Sequence, residues 1–390
     1  MVKWPVTTFE KLYEIPSRNG LSKPSRVRGS GYKMINMGEL FANDRIYDIN
    51  MELVPLTDIE KEKAKILPFD LLFARQSLVA AGAGKCSIVM ETSDLTVFES
   101  HLIRVRLNKL IADPFFYYYY FRSSCSPMQT IIQHCVQAGI KASDLSKLEV
   151  VVPPLCAQRK ISSVLMSIDK KIEENKKINK NLEQQAVAVF NKFYDASTNQ
   201  QPFTTLINVL GGGTPKTGNP EFWDGSIPFF TPKDVGTPYT FKTEKYITEL
   251  GLKHCNSRLY PTNTTFVTAR GTVGKISLAG APMAMNQSCY ALTSEIVDPL
   301  LVYFYVLKAV NALKHKASGA VFDAIVTRDF DGEIINILSD ADSEAALSII
   351  KPMMEAIYNN SKENMRLSAV RDTLLPKLMS GEIDVSNVDL

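Results

Sequence analysis

The sequence predicts an α/β (α+β) fold: two similar globular domains, joined by two long helices that form an antiparallel coiled coil and related by an approximate internal two-fold. Three observations carry that expectation. At 390 residues the chain is longer than one hydrophobic core usually holds. The chain repeats itself, in the same order, at a slowly shrinking offset. Each copy closes on a heptad-patterned stretch that is nearly free of proline.

The repeat is read from four matches. Pro5-Val-Thr-Thr-Phe9 matches Pro202-Phe-Thr-Thr-Leu206 at an offset of 197, and Phe73-Ala-Arg-Gln-Ser-Leu78 matches Thr268-Ala-Arg-Gly-Thr-Val273 at 195. Asp113-Pro-Phe-Phe-Tyr-Tyr-Tyr-Tyr-Phe121 pairs with Asp298-Pro-Leu-Leu-Val-Tyr-Phe-Tyr-Val306 at 185, and the same offset aligns Ile172–Asn179 with Ile357–Asn364. A duplicated unit of about 190 residues, one loop shorter in its second copy, accounts for all four. The period is too long for a solenoid.

Within each copy the first part mixes short β-type runs, such as Tyr32–Asn36, Ile227–Thr231 and Leu148–Val152, with Gly, Pro and Asn turns. The second part is helical. Positions 165, 168, 172, 175, 179, 182, 186, 189 and 193 read Leu, Ile, Ile, Asn, Asn, Leu, Ala, Val, Phe. The second copy reads Ile350, Met353, Ile357, Asn360, Asn364, Leu367, Arg371, Leu374 and Leu378. Both are seams of 3.5-residue period, interrupted by two asparagines at the same places, so Asn175, Asn179, Asn360 and Asn364 are expected to set the register of one helix on the other. The expected divisions are 1–156 (first globule), 157–195 (first helix), 196–342 (second globule), 343–380 (second helix) and 381–390 (tail).

Composition bounds the function. Hydrophobic residues make up 45% and charged residues 22%, and the net charge of +3 does not by itself diagnose a nucleic-acid partner. Six scattered cysteines, without Cys-x-x-Cys and with four histidines, argue against a zinc site and a disulfide framework. No run reaches the roughly 20 apolar residues of a membrane span, and the N-terminus has no apolar signal core. A cytoplasmic protein without membrane contact is expected.

Motifs of catalysis fail on inspection. Gly211 to Lys216 lacks the P-loop spacing and carries Pro215 where a backbone amide is needed, and Ala80 to Cys86 lacks the first glycine and the metal-binding hydroxyl. The aromatic run Phe115–Phe121 has a mostly aliphatic counterpart, so it reads as helix packing in a core rather than a base-stacking platform. No Asp/Glu/His cluster recurs in the repeat, and neither an Asn-Pro-Pro-Tyr motif nor a glycine loop for S-adenosylmethionine is present. Neither a metal nor a cofactor is expected in this chain.

Local basic patches say more. Pro16 to Lys33 contains Arg18, Lys23, Arg26, Arg28 and Lys33 and no acid. The second copy offers Lys216 and Lys233 nearby, and Arg75 and Arg270 are each followed two residues on by a hydroxyl, Ser77 and Thr272. Arginine with neighbouring Ser, Thr, Asn and Gln is the side-chain set that meets phosphates and base edges.

The chain resembles the DNA-specificity subunits of type I restriction-modification enzymes. The resemblance is carried by Gly212-Gly-Thr-Pro-Lys-Thr-Gly-Asn-Pro-Glu-Phe-Trp-Asp-Gly225, Ile227-Pro-Phe-Phe-Thr-Pro-Lys-Asp234, Thr268-Ala-Arg-Gly-Thr-Val-Gly-Lys275 and Asn286-Gln-Ser288. Pro153-Pro154 and Leu374-Leu-Pro-Lys-Leu-Met-Ser-Gly381 around the long helices belong to the same pattern, and nearly the whole chain is covered. The first globule departs from it, having Ile15-Pro-Ser-Arg-Asn-Gly-Leu-Ser-Lys23 in place of Thr-Pro-Lys and Trp-Asp-Gly.

The resemblance implies that each globule is a target-recognition domain reading one half of a split, asymmetric double-stranded DNA sequence, with the helices setting the spacer. It implies a non-catalytic subunit that recruits two methyltransferase subunits, which bind S-adenosylmethionine, and restriction subunits that use ATP and Mg. Candidate DNA contacts are Arg26, Arg28, Lys33, Asn36, Arg75 and Ser77 in the first head, and Lys216, Thr231, Lys233, Arg270, Thr272 and Gln287 in the second. The rival readings are a DNA-binding protein in a solitary or antirestriction role, a coiled-coil scaffold that binds protein and no nucleic acid, and an enzyme with a hidden nuclease or methyltransferase site.

Overall fold

In a computed structural model, the structure describes residues 4–77, 82–92, 94–133, 138–236, 238–316 and 324–385. Leu78 of the repeat match, Ala80 and Ala81 of the rejected glycine loop, Cys135 and residues 386–390 of the expected tail lie outside them. The chain divides into two compact units, Met1–Lys170 with Leu367–Leu390, and Lys171–Arg366.

The first unit contains strands β1 (Tyr13–Asn19), β2 (Tyr32–Ile35), β3 (Arg45–Ile46), β4 (Glu52–Val54), β5 (Leu71–Ala74), β6 (Cys86–Val89), β7 (Thr96–Phe98) and β8 (Leu102–Leu107). Five of them form a sheet in the order β1-β8-β5-β6-β3, antiparallel except for the β3–β6 pair, and three form a second sheet, β4-β2-β7. Helices α1 (Met37–Ala42) and α2 (Asp58–Ala64) lie between the strands, and α3 (Pro114–Arg122) follows them. The start of α3 is written locally: Pro114 sits in its first turn, where no amide is needed, and the Asp113 carboxylate accepts the Phe116 amide at 3.2 Å.

The aromatic run is core. Phe116, Tyr117, Tyr118, Tyr119, Tyr120 and Phe121 are all buried, packed with Phe9, Phe73, Ile103 and Val105. The long helix α4 (Leu155–Ala196) begins here and adds Ile161 and Leu165 to the same cluster, which the end of the second long helix completes with Leu378 and Met379.

The second unit repeats the plan. Its strands are β9 (Asn208–Gly211), β10 (Trp223–Phe230), β11 (Tyr239–Thr240), β12 (Lys245–Ile247), β13 (Thr265–Thr268), β14 (Ile276–Ala279), β15 (Ala284–Met285) and β16 (Cys289–Thr293). The five-stranded order is β9-β16-β13-β14-β11, again with only the last pair parallel, and the three-stranded order is β12-β10-β15. Strand for strand, this is the topology of the first unit. Helix α5 (Pro299–Lys316) packs beneath the sheet with Phe190 of α4 and with Ala346, Ile350 and Met354 of α6 (Asp340–Met379).

The long helices run antiparallel, as the residue pairs show: Asn175 meets Asn364 and Asn179 meets Asn360 in the second unit, and Asp169 meets Arg371 in the first.

The strands set the offset at 194 in this region, not 195. In the first unit the Arg75 amide donates to His101 O at 2.8 Å and Arg75 O accepts Ile140 N at 2.9 Å. In the second, Ala269 does both, from its amide to Ser288 O at 2.8 Å and from Ile325 N at 2.9 Å. Arg75 therefore corresponds to Ala269 and Gln76 to Arg270. Because side chains alternate along extended backbone, a one-residue slip exchanges faces, so the shared Ala-Arg is a coincidence of composition and the two arginines are not equivalent.

Candidate nucleic-acid interface

In the second unit the predicted residues converge. Gly212 and Gly213 allow the entry loop to lie against backbone: a Cβ on Gly212 would stand 2.2 Å from Asn286 O, and one on Gly213 would stand 2.5 Å from Asn256 N. That approach puts the Thr214 hydroxyl on Gln287 Oε1. Two residues on, the Lys216 carbonyl accepts the Trp223 indole N–H at 3.2 Å, which anchors the backbone and leaves the ammonium exposed.

Strand β10 ends beside the same loop, with the Asn286 amide on Phe230 O at 3.0 Å. Next comes a turn organised by Asp234, a residue that composition and repeat matching pass over. Its carboxylate accepts the Thr231 amide at 2.8 Å, the Thr231 hydroxyl at 2.6 Å and the Glu244 amide at 2.7 Å. Its signal in the sequence is the Thr-x-x-Asp spacing, in which a short side chain satisfies a neighbouring backbone donor. Thr231 is thereby committed within the turn. Lys233 projects from it, 81% exposed, its ammonium 3.8 Å from Glu244.

The Arg270 loop closes the patch. Gly271 holds a φ of +81° and Gly274 one of +72°, conformations that glycine adopts without strain, and the Thr272 hydroxyl donates to Pro232 O at 3.3 Å. Lys216, Lys233, Arg270, Thr272 and Gln287 are all exposed, and Lys216 and Arg270 make no ion pair among the described residues. Tethered by the Thr214–Gln287, Asn286–Phe230 and Thr272–Pro232 hydrogen bonds, they form one cationic, hydroxyl-bearing surface.

The first unit is arranged differently. Arg28 Nη1 lies 2.7 Å from Glu52 and its Nε donates to Lys23 O at 2.8 Å. Lys33 lies 2.6 Å from Asp48 and 3.5 Å from Asp94, and the hydrogen bond to Asp48 leads in raising its pKa. Lys23 pairs with Glu60 at 2.8 Å. The segment free of acid in sequence thus meets acids from a strand (Glu52), a helix (Glu60) and two loops (Asp48 and Asp94). Arg26 is exposed in the turn Ser25–Val27, without an ion pair among the described residues.

Asn36 precedes α1, its amide bonded to Glu39 at 2.8 Å and its side-chain N–H to Glu52 at 3.3 Å. Arg75 is half-buried, with Nη1 3.3 Å from Ser100 O, and Ser77 is buried.

The four asparagines face one another between α4 and α6. Asn175 Nδ2 donates to Asn364 Oδ1 at 3.0 Å and to Glu363 at 2.7 Å. Asn360 Nδ2 donates to Asn179 Oδ1 at 2.9 Å, and Asn179 Nδ2 donates to Ser361 Oγ at 3.1 Å.

Among the described residues no group of three His, Cys, Asp or Glu is placed to hold a metal ion, and no helix is long and apolar enough to cross a membrane. The model of the type I restriction modification DNA specificity domain matches this chain twice, over residues 1–184 and 204–365. The chain belongs to that family.

Among its family relatives, the MjaIX specificity subunit of Methanocaldococcus jannaschii is 28% identical over 168 residues, which cover 42% of this chain and 39% of the relative. The chain thus spans well under half of that protein's length. The putative MjaX specificity subunit of the same organism is 22% identical over an alignment covering 98% of this chain and 94% of its own. The crystal structure of the type I restriction-modification S subunit from M. genitalium superposes with a TM-score of 0.60 at 14% identity, covering 97% and 96% of the two chains. That likeness extends to the fold: two α/β globular domains and two long antiparallel helices.

Proposed function

We propose that this member of the specificity-domain family is the recognition subunit of a type I restriction-modification system. It reads a bipartite, asymmetric duplex target, one half-site per globule. The observation that carries the reading is the second-unit surface: Lys216, Lys233 and Arg270, all exposed and beside the Thr272 hydroxyl and the Gln287 amide. Exposed ammonium and guanidinium groups neutralise phosphates, and arginine and glutamine are the side chains that pair bidentately with guanine and adenine edges in the major groove. The first head reads its own half-site with Arg26, Arg28, Lys33, Asn36 and Arg75; Ser77, expected beside them, is buried and offers the DNA no hydroxyl. Its unlike residues at the entry loop support an unlike half-site.

The chain makes and breaks no covalent bond in this reading. It recruits two adenine-N6 methyltransferase subunits, which hold S-adenosylmethionine, and in the complete enzyme restriction subunits, which hold ATP and Mg. The assembly works in the cytoplasm.

The deciding experiment maps methylated adenines in DNA exposed to this chain together with a cognate methyltransferase subunit. A split motif, its halves unlike and separated by a fixed spacer, is the expected result. Methylation independent of sequence, or none with a methyltransferase proven competent with another specificity subunit, would sink the proposal. A scaffold that binds only protein shows no duplex binding that falls steeply with salt.

A further inference from the structure

The first unit carries a cationic cluster outside the candidate residues above. Strand β8 reads Leu-Ile-Arg-Val-Arg-Leu; Ile103, Val105 and Leu107 pack into the core with α3, which turns Arg104 and Arg106 to the opposite face. Antiparallel pairing with β1 sets Arg18 directly across from Arg104. Three guanidinium groups are thus gathered at the end of α2: Arg18 Nη1 donates to Lys63 O at 2.9 Å, Arg104 Nη1 to Lys65 O at 2.8 Å and Arg106 Nη2 to Lys65 O at 3.3 Å.

One buried carboxylate serves them, and it is fully engaged. Asp70, 1% exposed, accepts Arg106 Nε at 2.7 Å on one oxygen, and Arg106 Nη2 at 2.7 Å and the Leu67 amide at 2.8 Å on the other. Glu14 acts on Arg106 from a distance. Arg104 is 4% exposed, and the Nε atoms of both Arg104 and Arg18 are buried without a hydrogen-bond partner. Burial, opposed by the Asp70 charge and reinforced by Arg106 and Arg18, pushes the Arg104 pKa down to about 10. Buried charges are ordinarily paired, and like charges directly opposite on neighbouring strands destabilise a sheet.

The second unit provides an internal comparison. At the strand offset of 194, Leu72 corresponds to Phe266. Phe266 pairs with Ala291, and Ala291 pairs with Leu210, where the first unit has Leu72, Arg104 and Arg18. The same fold closes there with two apolar side chains inside a hydrophobic cluster. The architecture therefore does not require the arginines.

We propose that Arg18, Arg104 and Arg106 form an anion site that takes one phosphate group. A tetrahedral oxyanion supplies counter-charge to Arg18 and Arg104, the two guanidinium groups that Asp70 does not hydrogen-bond, and guanidinium forks suit it in geometry. The phosphate is either a phosphodiester of the bound DNA strand, which rests on the DNA-reading function above, or free phosphate, which does not.

The full chain is melted in sodium phosphate and in sodium chloride at matched ionic strength, alongside Arg18→Leu and the double variant Arg18→Leu, Arg104→Ala, which install the second unit's residues. Phosphate is expected to raise the Tm of the native chain by a few degrees and that of neither variant. Duplex binding is then followed against salt. A DNA source predicts that the slope of log K against log [salt] falls by about 1 for each guanidinium removed. An unchanged slope with the phosphate shift retained assigns the site to free phosphate. A native chain that responds to phosphate and binds no duplex refutes the DNA reading and keeps the site. Absence of both the phosphate shift in the native chain and any slope change in Arg18→Leu overturns the proposal, even should the double variant not fold.

Discussion

An exposed cation without a partner and one already held by a carboxylate do different things on meeting a phosphate. Arg270 and Lys216 release counterions on binding it, whereas Arg28 and Lys33 must first leave Glu52 and Asp48. Arg270→Ala or Lys233→Ala is expected to weaken recognition of the second half-site alone and to lower the salt slope by about 1, measured on duplexes mutated in one half-site at a time. Equal loss at both half-sites would contradict two independent heads. Arg28→Ala is expected to change the slope less than Arg270→Ala. Gly212→Ala tests the loop: its Cβ would stand 2.2 Å from Asn286 O, so the backbone must move. A lower Tm with selective loss of the second half-site is the expected outcome, and an unchanged Tm would show that the close approach is dispensable.

At the scale of elements, the helix pair is held by polar groups inside an apolar seam. Asn175 is 1% exposed and Asn179 7%, and both find partners on the opposing helix, which fixes register at some expense of stability. Asn179→Leu strips the Asn360 amide and the Ser361 hydroxyl of a partner, so a loss of about 1–3 kcal/mol is expected in urea unfolding. Adding Asn360→Leu is expected to restore much of that loss; additive losses would mean that the two amides do not act on each other.

In the first unit the anchor is ionic. Asp169 lies 2.6 Å from Arg45 and 2.8 Å from Arg371 and accepts the Tyr119 hydroxyl at 2.6 Å. Arg45 comes from β3, Tyr119 from α3, Asp169 from α4 and Arg371 from α6, so one carboxylate gathers the sheet and three helices. Arg45 and Asp169 are about nine-tenths buried. Asp169→Ala removes the carboxylate that Arg45, Arg371 and the Tyr119 hydroxyl share, and a destabilisation of about 3–5 kcal/mol is expected. Wild-type stability in the variant would show that the charges are solvated.

For the molecule as a unit, duplication explains the shared topology, and divergence of loops and strand faces explains why the two surfaces differ in charge. Both units carry the same five-stranded and three-stranded orders. The sites differ because their loops and strand faces do: a glycine-shaped entry with exposed cations in one unit, and ion pairs together with an arginine cluster in the other. A methylation map of two unlike halves is the molecular-scale expectation. A palindromic map would contradict the asymmetry.

The duplication, the heptad seam with its asparagines and the core packing of the Phe115–Phe121 run, in which Phe115 is half-buried, were legible in the order of residues, because repetition and periodicity are properties of order along the chain. The glycines and Thr-Pro-Lys triplets beside which the second unit's exposed cations gather are local signals as well. Charge balance and strand register, by contrast, are set only in the folded chain. Glu52 and Asp48 reach Arg28 and Lys33 across strands, and hydrogen bonding between strands pairs Arg75 with Ala269 rather than with Arg270. A guanidinium's counter-charge and a strand's facing side are set by neighbours distant along the chain. For the same reason, the cluster of Arg18, Arg104 and Arg106 around a single carboxylate emerges only once β1, β8 and the end of α2 are brought together.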